Sequence, residues 1–134
     1  DKFGNDAWHP VIEINEQLSS DTLNALRRLG DVCIVSSLHD GMNLVAKEYI
    51  GARFDEDGVL ILSEFTGAAE ELKAALLINP YDITGFAETI KSALEMPVEE
   101  RKRRMISLRN VVKNNNIYSW GTNILSSLTS LSKD

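Results

Sequence analysis

Short apolar runs alternate with amphipathic segments along most of this chain. Apolar runs without a period of two predict strands that are buried on both faces of a parallel sheet, whereas apolar residues spaced by three or four predict helices. We predict strands at 11–14, 31–37, 59–62 and 75–78. We predict helices at 20–29, 42–50, 68–73 and 98–114, another marked by Ile83, Phe86, Ile90 and Leu94, and a last one marked by Trp120, Ile124, Leu125 and Leu128. This alternation is typical of a doubly wound α/β fold with a Rossmann-like parallel sheet.

Boundary signals support several of these elements. Ser19 and Ser20 precede the first helix as capping residues, and Gly30 follows its last turn. In the helix at 98–114, the apolar positions predicted to face inward are Met105, Leu108, Val111 and Val112. The segment 51–58 holds three acidic residues and is predicted to be an exposed loop.

The composition narrows the class of protein. The chain has 134 residues, 43% of them apolar, which is the size and composition of one folded domain. Its net charge of −6 argues against a nucleic-acid binder, which needs a basic surface. No apolar run approaches the roughly 20 residues that span a bilayer, no signal peptide opens the chain, and Cys33 has no internal partner for a disulfide. We therefore expect a cytoplasmic protein that does not contact a membrane.

One strand exit combines the residue types that bind an anion and a sugar. Ligands of open α/β sheets lie beyond the carboxyl ends of the strands, at the N-termini of the helices that follow. Asp40 stands directly before the helix predicted to start at Met42, whose first amides (those of Met42, Asn43 and Leu44) are expected to point outward, toward an anion. Gly41 has no Cβ, so a phosphate could approach the backbone there.

A second carboxylate follows on the same helix. Glu48 lies eight residues after Asp40, about 12 Å further along the helix. Two carboxylates with an anion site between them suit a sugar nucleotide, since each can accept hydrogen bonds from hydroxyl groups at one end of it. The spacing also fits a purely structural alternative, in which Asp40 caps the helix through the Asn43 amide and Glu48 is solvated.

The residues around this pair resemble a known family. The string 40–49 resembles the donor-binding motif of trehalose-6-phosphate synthases, and so do 58–69, 75–82 and the stretch from Met96 to Arg101. The likeness extends from Lys2 to Trp120. These enzymes are retaining glycosyltransferases of GT-B type, with two Rossmann-like domains. The resemblance implies that residues 1–134 are the latter part of the C-terminal, nucleotide-sugar-binding domain, and that the N-terminal acceptor domain lies outside this chain.

The resemblance also implies a role for individual residues in binding UDP-glucose. Asp40 would bind the glucose hydroxyls, and Glu48 would bind the ribose. Leu18 and Leu23 match positions that line the uracil pocket. The residues implied to present their backbone to the sugar and the diphosphate, or to lie just behind them, are Gly41, Met42, Asn43, Leu44 and Val45.

The reaction implied for the whole enzyme is the transfer of glucose from UDP-glucose to glucose 6-phosphate, which forms trehalose 6-phosphate with retained configuration. UDP-glucose is a co-substrate, no cofactor or metal is expected, and no catalytic residue is identified in this segment, which alone is expected to be inactive. A homo-oligomer or a trehalose synthase complex remains open as the assembly.

Several alternatives remain at this point. The parent chain could be a non-catalytic regulatory or scaffold subunit, or a related retaining glycosyltransferase with another acceptor. His39 stands where the family generally has arginine, which leaves a cationic role there open. Glu64 borders the same cleft and either contacts the donor sugar or belongs to a structural loop.

Overall fold

The computed structural model describes residues 3–5, 7–115, 121–122, 125–126 and 128–129. Helices and strands alternate along them, as predicted. The α-helices are α1 (Ser20–Leu29), α2 (Leu44–Ala52), α3 (Ile83–Leu94) and α4 (Val98–Asn114), and a short 3-10 helix spans Gly67–Glu70. The strands are β1 (Val32–Val35), β2 (Val59–Ser63) and β3 (Leu76–Ile78).

The strands form a parallel sheet in the order β1-β2-β3. Val32 pairs with Val59 at one side of β2, and Ile61 pairs with Leu76 at the other. Every residue of β2 is buried, which explains why residues 59–62 are apolar without alternation. Because all three strands are parallel, their carboxyl ends lie at one edge of the sheet, and the Asp40 loop follows β1 at that edge.

Helices cover both faces of this sheet, so the predicted doubly wound α/β class is confirmed. On one face, Leu60 and Leu62 pack in a cluster that includes Tyr49 of α2 and Leu108 of α4. On the other face, Val59 and Ile61 pack with residues of α3. The alternate residues of β2 thus contribute to two cores, and α2, which follows β1, is fixed against the sheet.

The first predicted strand is wrong. Val11 and Ile12 are 78% and 82% exposed, and residues 11–14 adopt no regular secondary structure. A strand needs a neighbour for its backbone hydrogen bonds, and within the described part of the chain this segment has none. For a related reason β1 is only partly buried: it lies at the edge of the described sheet, and Ile34 is 43% exposed.

Several helix boundaries match the prediction and others do not. The bounds of α1 and α4 are those predicted, and Met105 and Leu108 are buried as expected. The segment predicted as a helix at 68–73 is the short 3-10 helix instead. Ile83 and Leu94 of α3 were predicted to share its packed face but are 81% and 67% exposed.

Two further predictions concern the loop after α2 and the end of the chain. α2 continues to Ala52, and Arg53 is 4% exposed, so only part of the segment 51–58 is the open acidic loop predicted. Two residues of the last predicted helix, Trp120 and Ile124, lie outside the described residues.

Candidate functional site

The loop that carries Asp40 is joined to the exit of the next strand. The Asp40 amide donates to the Phe65 carbonyl at 3.3 Å, and the Gly67 amide donates to the Asp40 carbonyl at 2.9 Å. A Cβ on Gly67 would lie 2.1 Å from the Gly41 carbonyl oxygen, so only glycine allows the two loops to approach this closely. The two strand exits therefore form one backbone unit, and the β2 exit holds the Asp40 loop in place.

The Asp40 carboxylate organises its own loop. Its Oδ1 accepts hydrogen bonds from the amides of Met42 and Asn43, both at 3.0 Å, and its Oδ2 accepts from Asn43 Nδ2 at 2.9 Å. The Met42 amide and then the Asn43 side chain are the main causes of a pKa below the usual aspartate value, because both stabilise the charged form. Asp40 is therefore an anion at neutral pH.

Asn43, and not Asp40, caps α2. Its φ of 66° is left-handed and cannot continue into a helix, so α2 begins at Leu44, two residues later than predicted. Its side chain accepts a hydrogen bond from the Ala46 amide at 2.9 Å.

The prediction that the first amides of this helix point outward is thus partly wrong. Those of Met42 and Asn43 are already bonded to Asp40, whereas among the described residues those of Leu44 and Val45 have no hydrogen-bond partner. The donors available to an anion therefore lie at Leu44 and Val45, at the positive end of α2.

Glu48 is held by a residue that the sequence did not indicate. Arg27 of α1 donates from Nη2 to Glu48 Oε2, and the Glu48 side chain is 50% exposed. Glu48 is thus half-exposed, as the alternative of a solvated surface residue expects, but its carboxylate is also ion-paired. The pair depends on α1 lying next to α2. The sequence does not show that these two helices are neighbours, so it gave no signal for Arg27.

Comparisons with known proteins identify the family. The family model that describes glycosyltransferase family 20 matches residues 1–130 of this chain. The chain belongs to glycosyltransferase family 20. A relative named trehalose-6-phosphate synthase, from Sinorhizobium fredii, is 44% identical over 126 residues, which is 93% of this chain and 27% of the relative. The predicted resemblance is confirmed.

Solved structures of the same family agree in fold. A structure from E. coli bound with UDP-2-fluoro glucose has a TM-score of 0.90 and 41% identity, covering 95% of this chain and 28% of that one. An alpha,alpha-trehalose-phosphate synthase (UDP-forming) from Burkholderia xenovorans, in complex with glucose-6-phosphate, has a TM-score of 0.90 and 43% identity, covering 96% and 28%. The chain thus has the fold of part of a GT-B glycosyltransferase and spans about a quarter of the length of these relatives.

The remaining predicted site residues of this family 20 chain lie in different places: Gly41 and His39 in the Asp40 loop, Glu64 directly after β2, Leu18 before α1 and Leu23 within α1. Gly41 is exposed, and a Cβ there would meet no atom within 4 Å, so the protein's own packing does not require glycine at this position. Leu18 and Leu23 are half-buried and belong to neither core cluster. His39 and Glu64 are exposed.

Other polar groups near α2 contribute to the structure. Arg53 donates from Nη1 to the carbonyls of Arg28 at 2.7 Å and Gly30 at 2.9 Å, which are left unpaired by the end of α1. Arg109 does the same for Ile50 and Arg53 at the end of α2. Sequence reasoning missed both arginines, since nothing local distinguishes them from surface cations.

The grouping of side chains and the lengths of the helices are relevant to metal and membrane binding. In the described ranges, no three or more histidine, cysteine, aspartate or glutamate side chains group as metal ligands would. None of the described helices is both long enough and apolar enough to cross a bilayer.

Proposed function

We propose that this chain is the latter part of the nucleotide-sugar-binding domain of a trehalose-6-phosphate synthase. The full-length protein would transfer glucose from UDP-glucose to glucose 6-phosphate, forming trehalose 6-phosphate and UDP with retained configuration. The observation on which this rests is the Asp40 loop, with an ionised carboxylate beside two unbonded amides, in a chain whose fold matches a structure bound with UDP-2-fluoro glucose. The complex of a relative with glucose-6-phosphate supports the acceptor.

The donor sugar is assigned to Asp40. A carboxylate has about four acceptor positions, and three are used by Met42 and Asn43. The remaining position accepts a glucose hydroxyl. Because the same carboxylate also shapes the loop, the hydroxyl is bound by a group whose orientation is already set.

The diphosphate is assigned to the start of α2. The amides of Leu44 and Val45 donate to its oxygens, and Gly41 leaves space for it beside the backbone. As the bond from the glucose anomeric carbon to the phosphate oxygen breaks, negative charge grows on the leaving UDP. Oriented amides stabilise that charge without reorganisation. Glu48 accepts from the ribose hydroxyls, and Leu18 and Leu23 line the uracil pocket.

We further propose that the chemistry needs no metal and that the isolated segment is inactive, because the acceptor would bind to the other domain. Addition of EDTA should then leave the rate of the full-length protein unchanged. The cytoplasmic location and the absence of a nucleic-acid or membrane partner stay predictions, and so does assembly as a homo-oligomer or in a trehalose synthase complex.

The test measures two affinities and two products in the full-length protein. Purified wild type should form trehalose 6-phosphate and UDP in equal amounts. Asp40→Ala should weaken UDP-glucose binding at least tenfold and UDP binding less, because only the former loses a charged hydrogen bond to the sugar. Exposed Glu70→Ala is the matched control, with both affinities unchanged.

Other outcomes would identify the alternatives. A protein that binds UDP-glucose but releases no UDP with any sugar phosphate would be the regulatory or scaffold subunit. Turnover with a different acceptor would make it a related retaining transferase. Equal losses for UDP and UDP-glucose in Asp40→Ala would contradict the assignment of Asp40 to glucose.

A further inference from the structure

Arg27 and Glu48 form an ion pair that links α1 to α2. Arg27 Nη2 donates to Glu48 Oε2, and the Arg27 side chain is only 18% exposed. Such a pair is screened less by water and salt than one between two fully solvated groups. It therefore restricts the Glu48 side chain, which is otherwise half-exposed and could adopt several rotamers.

The guanidinium of Arg27 is itself held in place. Its Nη1 donates to Asn24 Oδ1, one turn earlier in α1, at 3.1 Å. The Arg27 and Arg28 carbonyls at the end of α1 accept hydrogen bonds from the buried Arg53, at 3.4 Å and 2.7 Å. Both the side chain and the backbone of Arg27 are thus fixed before any ligand arrives.

The pair leaves one oxygen of Glu48 available. Among the described residues, Glu48 Oε1 has no hydrogen-bond partner, whereas Oε2 is bound by Arg27. A carboxylate oxygen accepts from hydroxyl groups, and a fixed carboxylate loses less conformational freedom on binding than a mobile one. The arrangement suits a vicinal diol that approaches from the solvent side.

We propose that Arg27 is a positioning residue that orients Glu48 toward the ribose diol of the donor nucleotide. This inference rests on the proposed function, because it takes Glu48 as the ribose-binding residue. Arg27 acts only through Glu48, so its effect should be confined to ligands that carry the diol. The neighbouring Arg28 has the same charge on the same helical turn but does not contact Glu48, so it is the matched control.

The experiment compares the dissociation constants of UDP and of 2′,3′-dideoxy-UDP, which lacks both ribose hydroxyls, by calorimetry with the full-length protein. Wild type should bind UDP about tenfold more tightly, as expected for hydrogen bonds to a charged group. Arg27→Met should reduce this ratio to about twofold, by weakening UDP alone. Arg27→Lys should restore part of the ratio, and Arg28→Met should leave it at the wild-type value.

A ratio between two ligands does not change when a variant is merely less stable, so it separates positioning from folding. The inference is overturned if Arg27→Met keeps the wild-type ratio or weakens both ligands equally. Glu48→Ala separates the role of Arg27 from the assignment of Glu48 to the ribose. Loss of the ratio in Glu48→Ala with a normal ratio in Arg27→Met would reject only the role of Arg27, whereas a normal ratio in Glu48→Ala would reject the ribose assignment itself.

Discussion

The two ends of α2 are built in opposite ways. At its N-terminal end, the amides of Leu44 and Val45 are unbonded within the described part of the chain, and their side chains are 58% and 51% exposed. At its C-terminal end, Arg109 donates from Nη1 to the Ile50 and Arg53 carbonyls, at 3.0 Å and 2.9 Å. Both ends of a helix leave backbone groups unpaired. Here one side chain caps the N-terminal end but leaves these two amides open, whereas a side chain pairs the carbonyls at the C-terminal end.

This difference separates function from stability within one helix. Unpaired amides at the exposed end are free for an anionic ligand, and the positive end of the helix dipole favours it. Paired carbonyls at the other end fix α2 to α4, so that the open end is held in position. Substitutions at the open end should therefore change ligand affinity, and those at the closed end should change the free energy of unfolding.

The largest expected effect comes from Gly67→Ala, because Gly67 joins the open end to the β2 exit. The new Cβ would meet the Gly41 carbonyl oxygen at 2.1 Å, so one of the two loops has to move. Overpacking of this kind costs about 3 kcal/mol of stability, and the displaced Asp40 loop should also lose affinity for UDP-glucose. Thermal unfolding and calorimetry of the full-length protein measure both.

Gly51→Ala is the control for that substitution. Gly51 lies in the last turns of α2, and a Cβ there would meet no atom within 4 Å. Alanine is a better helix former than glycine, so this variant should be about 0.5 to 1 kcal/mol more stable, with unchanged affinity. If Gly67→Ala behaved like Gly51→Ala, the close approach of the two loops would not be essential to the site.

The next effect in size tests the closed end. Arg109→Met keeps an unbranched side chain but removes the donors to the α2 carbonyls and the cation that lies 5.3 Å from the Phe54 ring centroid. We expect a loss of about 2 kcal/mol in the free energy of unfolding, since carbonyls are left unpaired. The dissociation constant for UDP should not change in the folded protein. Arg103→Met, at a 76% exposed side chain of α4, should have almost no effect.

A smaller effect tests whether the open end admits a ligand. Gly41→Ala places a methyl group where the protein has no atom within 4 Å, so the midpoint of thermal unfolding should stay within a degree or two of wild type. If the diphosphate lies against this backbone, affinity for UDP-glucose should fall about tenfold, or about 1.4 kcal/mol. Unchanged affinity would mean that the ligand does not approach Gly41.

The sequence predicted these two ends unequally. It located the open end, because Asp40 and Gly41 closely follow a predicted strand and the string 40–49 resembles a family motif. It missed the helix start, since the left-handed φ of Asn43 depends on hydrogen bonds to Asp40 and Ala46 that a linear pattern does not show. The closed end was not predicted at all, because Arg109 is 56 residues distant in sequence from the carbonyl of Arg53.

The fold shows the same difference between what the sequence predicts and what it misses. β2 was predicted well because burial on both faces imposes a continuous apolar run. Val11 and Ile12 are residue types that favour strands, yet they form no strand. A strand also needs a neighbouring strand for its backbone hydrogen bonds, and composition does not show whether one is present. Sequence patterns therefore predict the properties of single elements better than the contacts between them.

The smallest expected effect concerns the charge of Asp40 at the open end. The amide of Met42 and the side chain of Asn43 lower its pKa, so the carboxylate stays ionised below the ordinary range of aspartate. Its hydrogen bonds are then fully present above the pKa of the unfolded chain and are lost only as pH falls through the lower folded value. A plot of UDP-glucose affinity against pH should therefore show no change caused by Asp40 between pH 5 and pH 8. Carbon-13 NMR of the Asp40 carboxyl group measures the pKa directly, and Asn43→Ala should raise it by removing one donor. An unchanged pKa in that variant would show that the Asn43 side chain does not stabilise the charge, and the loop would then depend on the backbone amides alone.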